Sequence, residues 1–219
     1  MKSNADLSSK GTDSLIERLA TQAGKRQPGR LSFAALLPVA LLVSTLAAVA
    51  VVLLTAGART DIVQILLTWT FEFKVIGMIV IAAGASQLVW STVRPGAPLH
   101  WLRAIGPGGV FLLAGALFDR SGFPLFGVHK FSVLSCAGII IASSIPALAV
   151  ILAAMRAGTP TRLVQAGALA GFLAGAIGAL AYTLACLNDG ATFVALWYSV
   201  AIAVVAIIGA IIGPRMLAW

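Results

Sequence analysis

The sequence predicts an all-α polytopic membrane bundle of about six transmembrane helices, with both termini in the cytoplasm. Three observations predict it. The chain is 60% hydrophobic and only 10% charged, whereas a soluble domain carries about a quarter charged residues and could not cover so much apolar surface in water. Apolar runs close to the roughly 20 residues that span a bilayer recur along the whole length. If these runs alternate in direction, eleven of the 15 Lys and Arg residues fall on one side, as the positive-inside rule requires of the cytoplasmic face.

The first thirty residues are hydrophilic, with no cleavable leader pattern, and form a cytoplasmic tail (1–30) ahead of the membrane domain (31–219). The first apolar run, Leu31 to Ala56, is too long for a signal-peptide core and is expected to remain as span one. Span two runs from Val75 to Val93 and span three from Leu102 to Phe118. Span three is short and opens on Gly106, Pro107, Gly108 and Gly109. It is retained because without it the later loops would turn over and place Arg156 and Arg162 outside. Span four runs from Val133 to Met155 around Pro146, span five from Leu163 to Ala185, and span six from Thr192 to Gly213. The inner side then holds Lys2, Lys10, Arg18, Lys25, Arg26, Arg30, Arg94, Arg103, Arg156, Arg162 and Arg215. The outer side holds Arg59, Lys74, Arg120 and Lys130. Between spans one and two, Asp61 to Phe73 mixes Trp69, Phe71 and Phe73 with Asp61 and Glu72. This pattern predicts an interfacial helix, with Lys74 snorkelling to the surface.

In the tail, Thr12 to Ala23 is predicted to be a short amphipathic helix. Ser14 and Glu17 have capping-box spacing, and Leu15, Ile16 and Leu19 fall on one face. So short a helix is marginal alone. It either lies on the bilayer or seats its apolar face in a partner's groove.

The net charge of +8 would suggest nucleic acid in a soluble protein. Here the charges are scattered over loops, and no direct nucleic-acid binding is expected. Spans two to six carry no ionisable side chain at mid-membrane depth, which argues against the alternative of a small transporter or channel. There is no CxxC, HExxH, GxSxG or phosphate loop, so no enzyme, cofactor or metal centre is predicted. His100 and His129 fall on opposite sides of the membrane. Gly167, Gly171 and Gly175, with Gly178 behind, and Gly209 with Gly213, predict close packing of spans five and six; a homodimer seam is the alternative. Cys136 opens span four and Cys186 closes span five, so topology carries both to the outer face. There they suit a disulfide, a regulated thiol pair, a thiolate metal site, or two packed cysteines that never interact.

Taken in order, these pieces resemble the negative regulator of sigma F family of bacterial multi-pass membrane anti-sigma factors. The resemblance rests on Cys136 followed by Pro146, the glycine ladder ending at Ala181-Tyr182, Cys186 with Asp189, then Phe193 and Trp197-Tyr198. Gly209, Gly213, Arg215 and Trp219 follow, and Phe73-Lys74 and Arg94-Pro95-Gly96 fit upstream. The sequence departs from the family at Leu187-Asn188, where Pro-Glu is usual, and at Pro214-Arg215, where a basic pair is usual. The resemblance implies a protein of the bacterial inner membrane that sequesters an extracytoplasmic-function sigma factor until a periplasmic redox or metal stress arrives. It implies signal sensing by Cys136 and Cys186 and sigma binding by the tail. Within the tail, the helical-face pattern points to Leu15, Ile16 and Leu19 as the contacts.

Overall fold

A computed structural model of the chain describes residues 12–21, 32–94, 96–127 and 132–218. His129, Lys130, Pro95, Trp219 and the tail cations Lys2, Lys10, Lys25, Arg26 and Arg30 lie outside the described residues. Residues 12–21 form helix α1, which belongs to a different compact unit from the bundle that begins at Phe33. Helix α1 already covers Thr12 and Asp13, so Ser14 lies within the helix and not at the expected cap. Leu15, Ile16 and Leu19 are all exposed.

Among the described residues of the bundle, five helices are long and apolar enough to cross a membrane. They are α2 (Phe33–Thr55), α4 (Trp69–Thr92), α6 (Ser132–Met155), α7 (Leu163–Tyr182) and a last helical stretch over Ala191–Leu217. That stretch comprises α8 (Ala191–Phe193), a π-helical turn (Val194–Tyr198) and α9 (Ser199–Leu217). The predicted third span is the shorter α5 (Trp101–Leu117, 17 residues). At 1.5 Å per residue it reaches about 25 Å, short of the roughly 30 Å hydrocarbon core. It nevertheless runs the length of α4, antiparallel to it. A Cβ added to Gly115 would strike Phe73, one on Gly77 would strike Leu112, one on Gly108 would strike Ile81, and one on Gly84 would strike the Ala104 carbonyl. The helix starts at Trp101 and includes Pro107, so Gly106, Gly108 and Gly109 fall inside it instead of opening it, and of these three Gly108 is the one that approaches α4.

The closest helix pair is α7 and α9. Added Cβ atoms at Gly167, Gly171, Gly209 and Gly213 would each overlap backbone of the facing helix. Van der Waals contact between backbones replaces the hydrophobic drive that lipid cannot supply. The predicted packing of spans five and six therefore holds, within one chain. Helix α7 is the centre of the bundle: every residue from Leu173 to Ala179 is buried.

Two expectations are corrected between α2 and α4. The stretch from Asp61 to Phe73 is not one interfacial helix. Its helical part is the short α3 (Ile62–Ile65), and Trp69 already opens α4. Lys74 does not snorkel; its side chain is fully buried. It faces inward because a carboxylate lies within reach there.

A buried thiol pair clamped by two cations

Six helix passes bring to one end of the bundle the end of α2, the start of α4, the end of α5, the start of α6, the end of α7 and α8. Cys136 lies in the second turn of α6, and Cys186 lies four residues beyond α7. Fifty positions apart in sequence, their sulfurs stand 3.8 Å apart, both buried. The Tyr182 hydroxyl donates to the Cys136 sulfur at 3.3 Å, and the Asn188 amide approaches it at 3.7 Å. The Cys186 thiol reaches the Asn188 carbonyl at 3.7 Å. Tyr198, at the end of the π-helical turn, packs on Tyr182 with ring centroids 6.2 Å apart. Its buried hydroxyl has no hydrogen-bond partner among the described residues. π-Turns often mark functional positions, and this one turns Tyr198 toward the thiols.

Around the sulfurs lies a clamp that sequence reasoning missed. Arg59, in the loop after α2, donates to the Cys186 carbonyl at 2.8 Å and to both Asp189 oxygens at 3.0 and 3.1 Å. Lys74 donates to the same carbonyl at 3.2 Å and pairs with Asp189 at 2.6 Å. Asp61 completes the set, gripping Arg59 through two bonds at 2.7 and 2.8 Å. The Arg59 backbone N–H also donates to the Leu184 carbonyl at 3.0 Å. Two cations against two carboxylates leave the cluster neutral, which is what permits its burial. The hydrogen bond with Asp61 raises the Arg59 pKa and lowers that of Asp61. The missed signal was present in the sequence: Arg59, Lys74, Asp61 and Asp189 all belong to one end of a chain that is otherwise poor in charge.

A second tie holds the same end. Asp119, beyond α5, accepts from the Thr192 backbone N–H at 2.8 Å and from the Thr192 hydroxyl at 3.0 Å, which secures the start of α8. Burial pushes the Asp119 carboxyl up, but hydrogen bonds from Ser121 and Thr192 outweigh it and hold the group at about 2. The Trp197 indole donates to the Leu125 carbonyl at 2.9 Å.

The thiol pair behaves as a unit. The hydrogen bond with Cys136, and then the Lys74 ammonium, draw the Cys186 thiol below its ordinary value against the opposing effect of burial. The sign is that of a depressed acid: the favourable interaction is present above the ordinary thiol range and is lost as pH falls through the lowered value. Lys74→Met should return Cys186 toward the ordinary thiol value. Alkylation by a small uncharged reagent, followed against pH, should show a higher midpoint in the variant than in the parent. An unchanged midpoint would mean that Lys74 has no hold on the thiol.

No group of three or more His, Cys, Asp or Glu side chains that could hold a metal ion occurs among the described residues. Among the described residues the two thiols stand beside Asn188, where the family usually has Glu, and form a two-thiol site.

Fold and site together define a polytopic helical membrane protein built around a buried thiol pair at one end. Comparison with known proteins then gives its family. The family model described as "Negative regulator of sigma F" matches residues 19–219, and the chain belongs to that family. It is 32% identical over 222 residues to the anti-sigma-F factor NrsF of Caulobacter vibrioides, covering 95% of this chain and 99% of the relative. It is 34% identical over 170 residues to the probable anti-sigma-F factor NrsF of Azospira oryzae, covering 74% of this chain and 78% of the relative. No solved structure matches the chain.

Proposed function

We propose that this protein is a membrane-anchored anti-sigma factor that holds an extracytoplasmic-function sigma factor through its cytoplasmic tail. It releases the factor when the Cys136–Cys186 pair is oxidised or captures a thiophilic metal ion. The names of its relatives support the anti-sigma role. The observation that carries the sensing role is the 3.8 Å approach of the two sulfurs beside a peptide carbonyl gripped by Arg59 and Lys74. The arginine-rich opposite end supports an orientation in the bacterial inner membrane with the thiols outside.

The chemistry is simple. A peroxide-class oxidant takes two electrons and two protons from the two thiols, forming one S–S bond and being reduced to two waters, or to an alcohol and a water. The sulfurs must then close to about 2.05 Å. Cys136 is fixed in α6, so the Cys186 loop moves, and its carbonyl leaves the geometry that Arg59 and Lys74 hold. Arg59 lies four residues after the end of α2, and α2 is the first helix of the bundle after the tail. A hundredfold loss of sigma affinity needs only about 2.7 kcal/mol of difference between states. One disulfide contributes about 2–4 kcal/mol.

Inside, the exposed Leu15, Ile16 and Leu19 of α1 offer an apolar face for the partner. The test is co-purification of the tagged protein with its cognate sigma factor in mild detergent. The intact chain should retain sigma, and a chain lacking residues 1–24, or carrying Leu15→Asp with Leu19→Asp, should lose it. Equal capture by the intact chain and both variants would defeat the tail assignment.

A further inference from the structure

The end of the bundle remote from the thiols carries a second constellation. The loop after α4 and the loop before α7 line an open pocket of about 510 Å³. Arg94 and Arg162 stand in its wall with Thr161, Gln165 and Trp101. The wall is built, since the two loops are tied: the Thr159 N–H donates to the Val93 carbonyl at 3.4 Å, and a Cβ on Gly158 would collide with Val93. The Arg94 guanidinium lies over the Trp90 ring at 4.5 Å.

The distribution of charge is one-sided. The bundle has four side-chain carboxylates, Asp61, Glu72, Asp119 and Asp189. All four belong to the thiol end, three of them in the clamp and the Thr192 tie, and Glu72 in the first turn of α4. The opposite end carries Arg94, Arg103, Arg156, Arg162 and Arg215 and no side-chain carboxylate of the bundle. Arg94 and Arg162 are both exposed at this end, where no side-chain carboxylate of the bundle competes for them. Helix α7 starts at this pocket with no side chain capping its first amides, which adds to the positive field.

We propose that this pocket binds the phosphodiester headgroup of an anionic phospholipid, with Arg94 and Arg162 holding the phosphate and Thr161 and Gln165 the glycerol hydroxyls. Paired arginine forks suit phosphate oxygens. A basic pocket between transmembrane helices is a recurrent headgroup site. The volume falls in the range of small-ligand pockets, and Trp101 is placed as interfacial tryptophans are, where acyl chains meet headgroups. The site is independent of the thiol chemistry and of sigma binding.

The test uses the full chain in mild detergent and native mass spectrometry, with three probes: phosphatidylglycerol, phosphatidylcholine and free glycerol phosphate. Phosphatidylglycerol should be retained about tenfold or more over phosphatidylcholine, and glycerol phosphate should bind far more weakly, because it brings no acyl chains. Arg94→Gln with Arg162→Gln should abolish the preference, and the charge-matched Arg156→Gln with Arg215→Gln should keep it. Equal retention of the two lipids by the unmodified protein would overturn the proposal without recourse to any variant. Equal loss in both double variants would reduce the effect to generic charge. Glycerol phosphate binding as tightly as the lipid would make this a site for a soluble phosphate.

Discussion

Asp189→Ala should destabilise the bundle by about 3–5 kcal/mol, the cost of breaking a buried ion pair by removing one partner. The side chain of Lys74 is fully buried and its ammonium pairs with Asp189 at 2.6 Å. Without that carboxylate, the buried Lys74 ammonium loses its ion-pair partner and keeps only the Cys186 carbonyl. Arg59 suffers less, because Asp61 still holds it through two bonds. The decisive comparison is the double variant Lys74→Met with Asp189→Leu, which removes both charges together. It should recover much of the stability lost in Asp189→Ala, since apolar replacement of a buried pair is often neutral. Unfolding of the purified protein in mild detergent, by heat or denaturing detergent, measures all three. Equal stability of Asp189→Ala and the parent would mean that the clamp holds nothing.

Gly171→Leu is the second large effect. A Cβ at Gly171 would overlap the Val205 carbonyl and crowd the Ala206 Cα, both backbone of α9. The facing helix must move away along its whole length, because helix backbones do not yield locally. Overpacking of this kind costs about 1–3 kcal/mol in a well-packed core, and here it also breaks the reciprocal contacts of Gly167 with Gly209 and Gly213. The control is Gly138→Ala in α6, where an added Cβ meets nothing within 4 Å. That change should leave stability equal or slightly raised, as expected when a helical glycine gains a methyl group. If Gly171→Leu melts with the parent, α7 and α9 are not held by close backbone approach.

Much of this structure was legible in the chain, for identifiable reasons. Hydropathy located the passes because a bilayer admits only long apolar helices. The small-residue spacing located the α7–α9 seam because only glycine allows that approach. Topology brought Cys136 and Cys186 to one end. The limits are also physical. Hydropathy counts residues and cannot see that α5 borrows length from α4 by lying against it. A capping motif cannot fix a helix start to within a residue, as Ser14 shows. Lys74 read as a surface charge because a lysine near a helix start ordinarily snorkels. Its burial depends on Asp189, 115 positions later in the sequence, and pattern reasoning sees no such pairing. Asn188 was noted as a departure from the family, but only geometry shows its amide approaching the Cys136 sulfur.

The thiol site and the clamp act as one device in this account. Under the proposed mechanism, Arg59 and Lys74 read the position of the Cys186 peptide, and the sulfur chemistry sets that position. The most direct test is sigma retention on the purified complex before and after oxidation of the pair by a mild peroxide, in the parent and in Cys136→Ser with Cys186→Ser. The account predicts that the parent loses sigma by about tenfold or more, equivalent to about 1.4 kcal/mol or more, while the double variant holds it throughout. Retention by the oxidised parent, with the disulfide verified by mass, would contradict the account. So would equal release from the double variant.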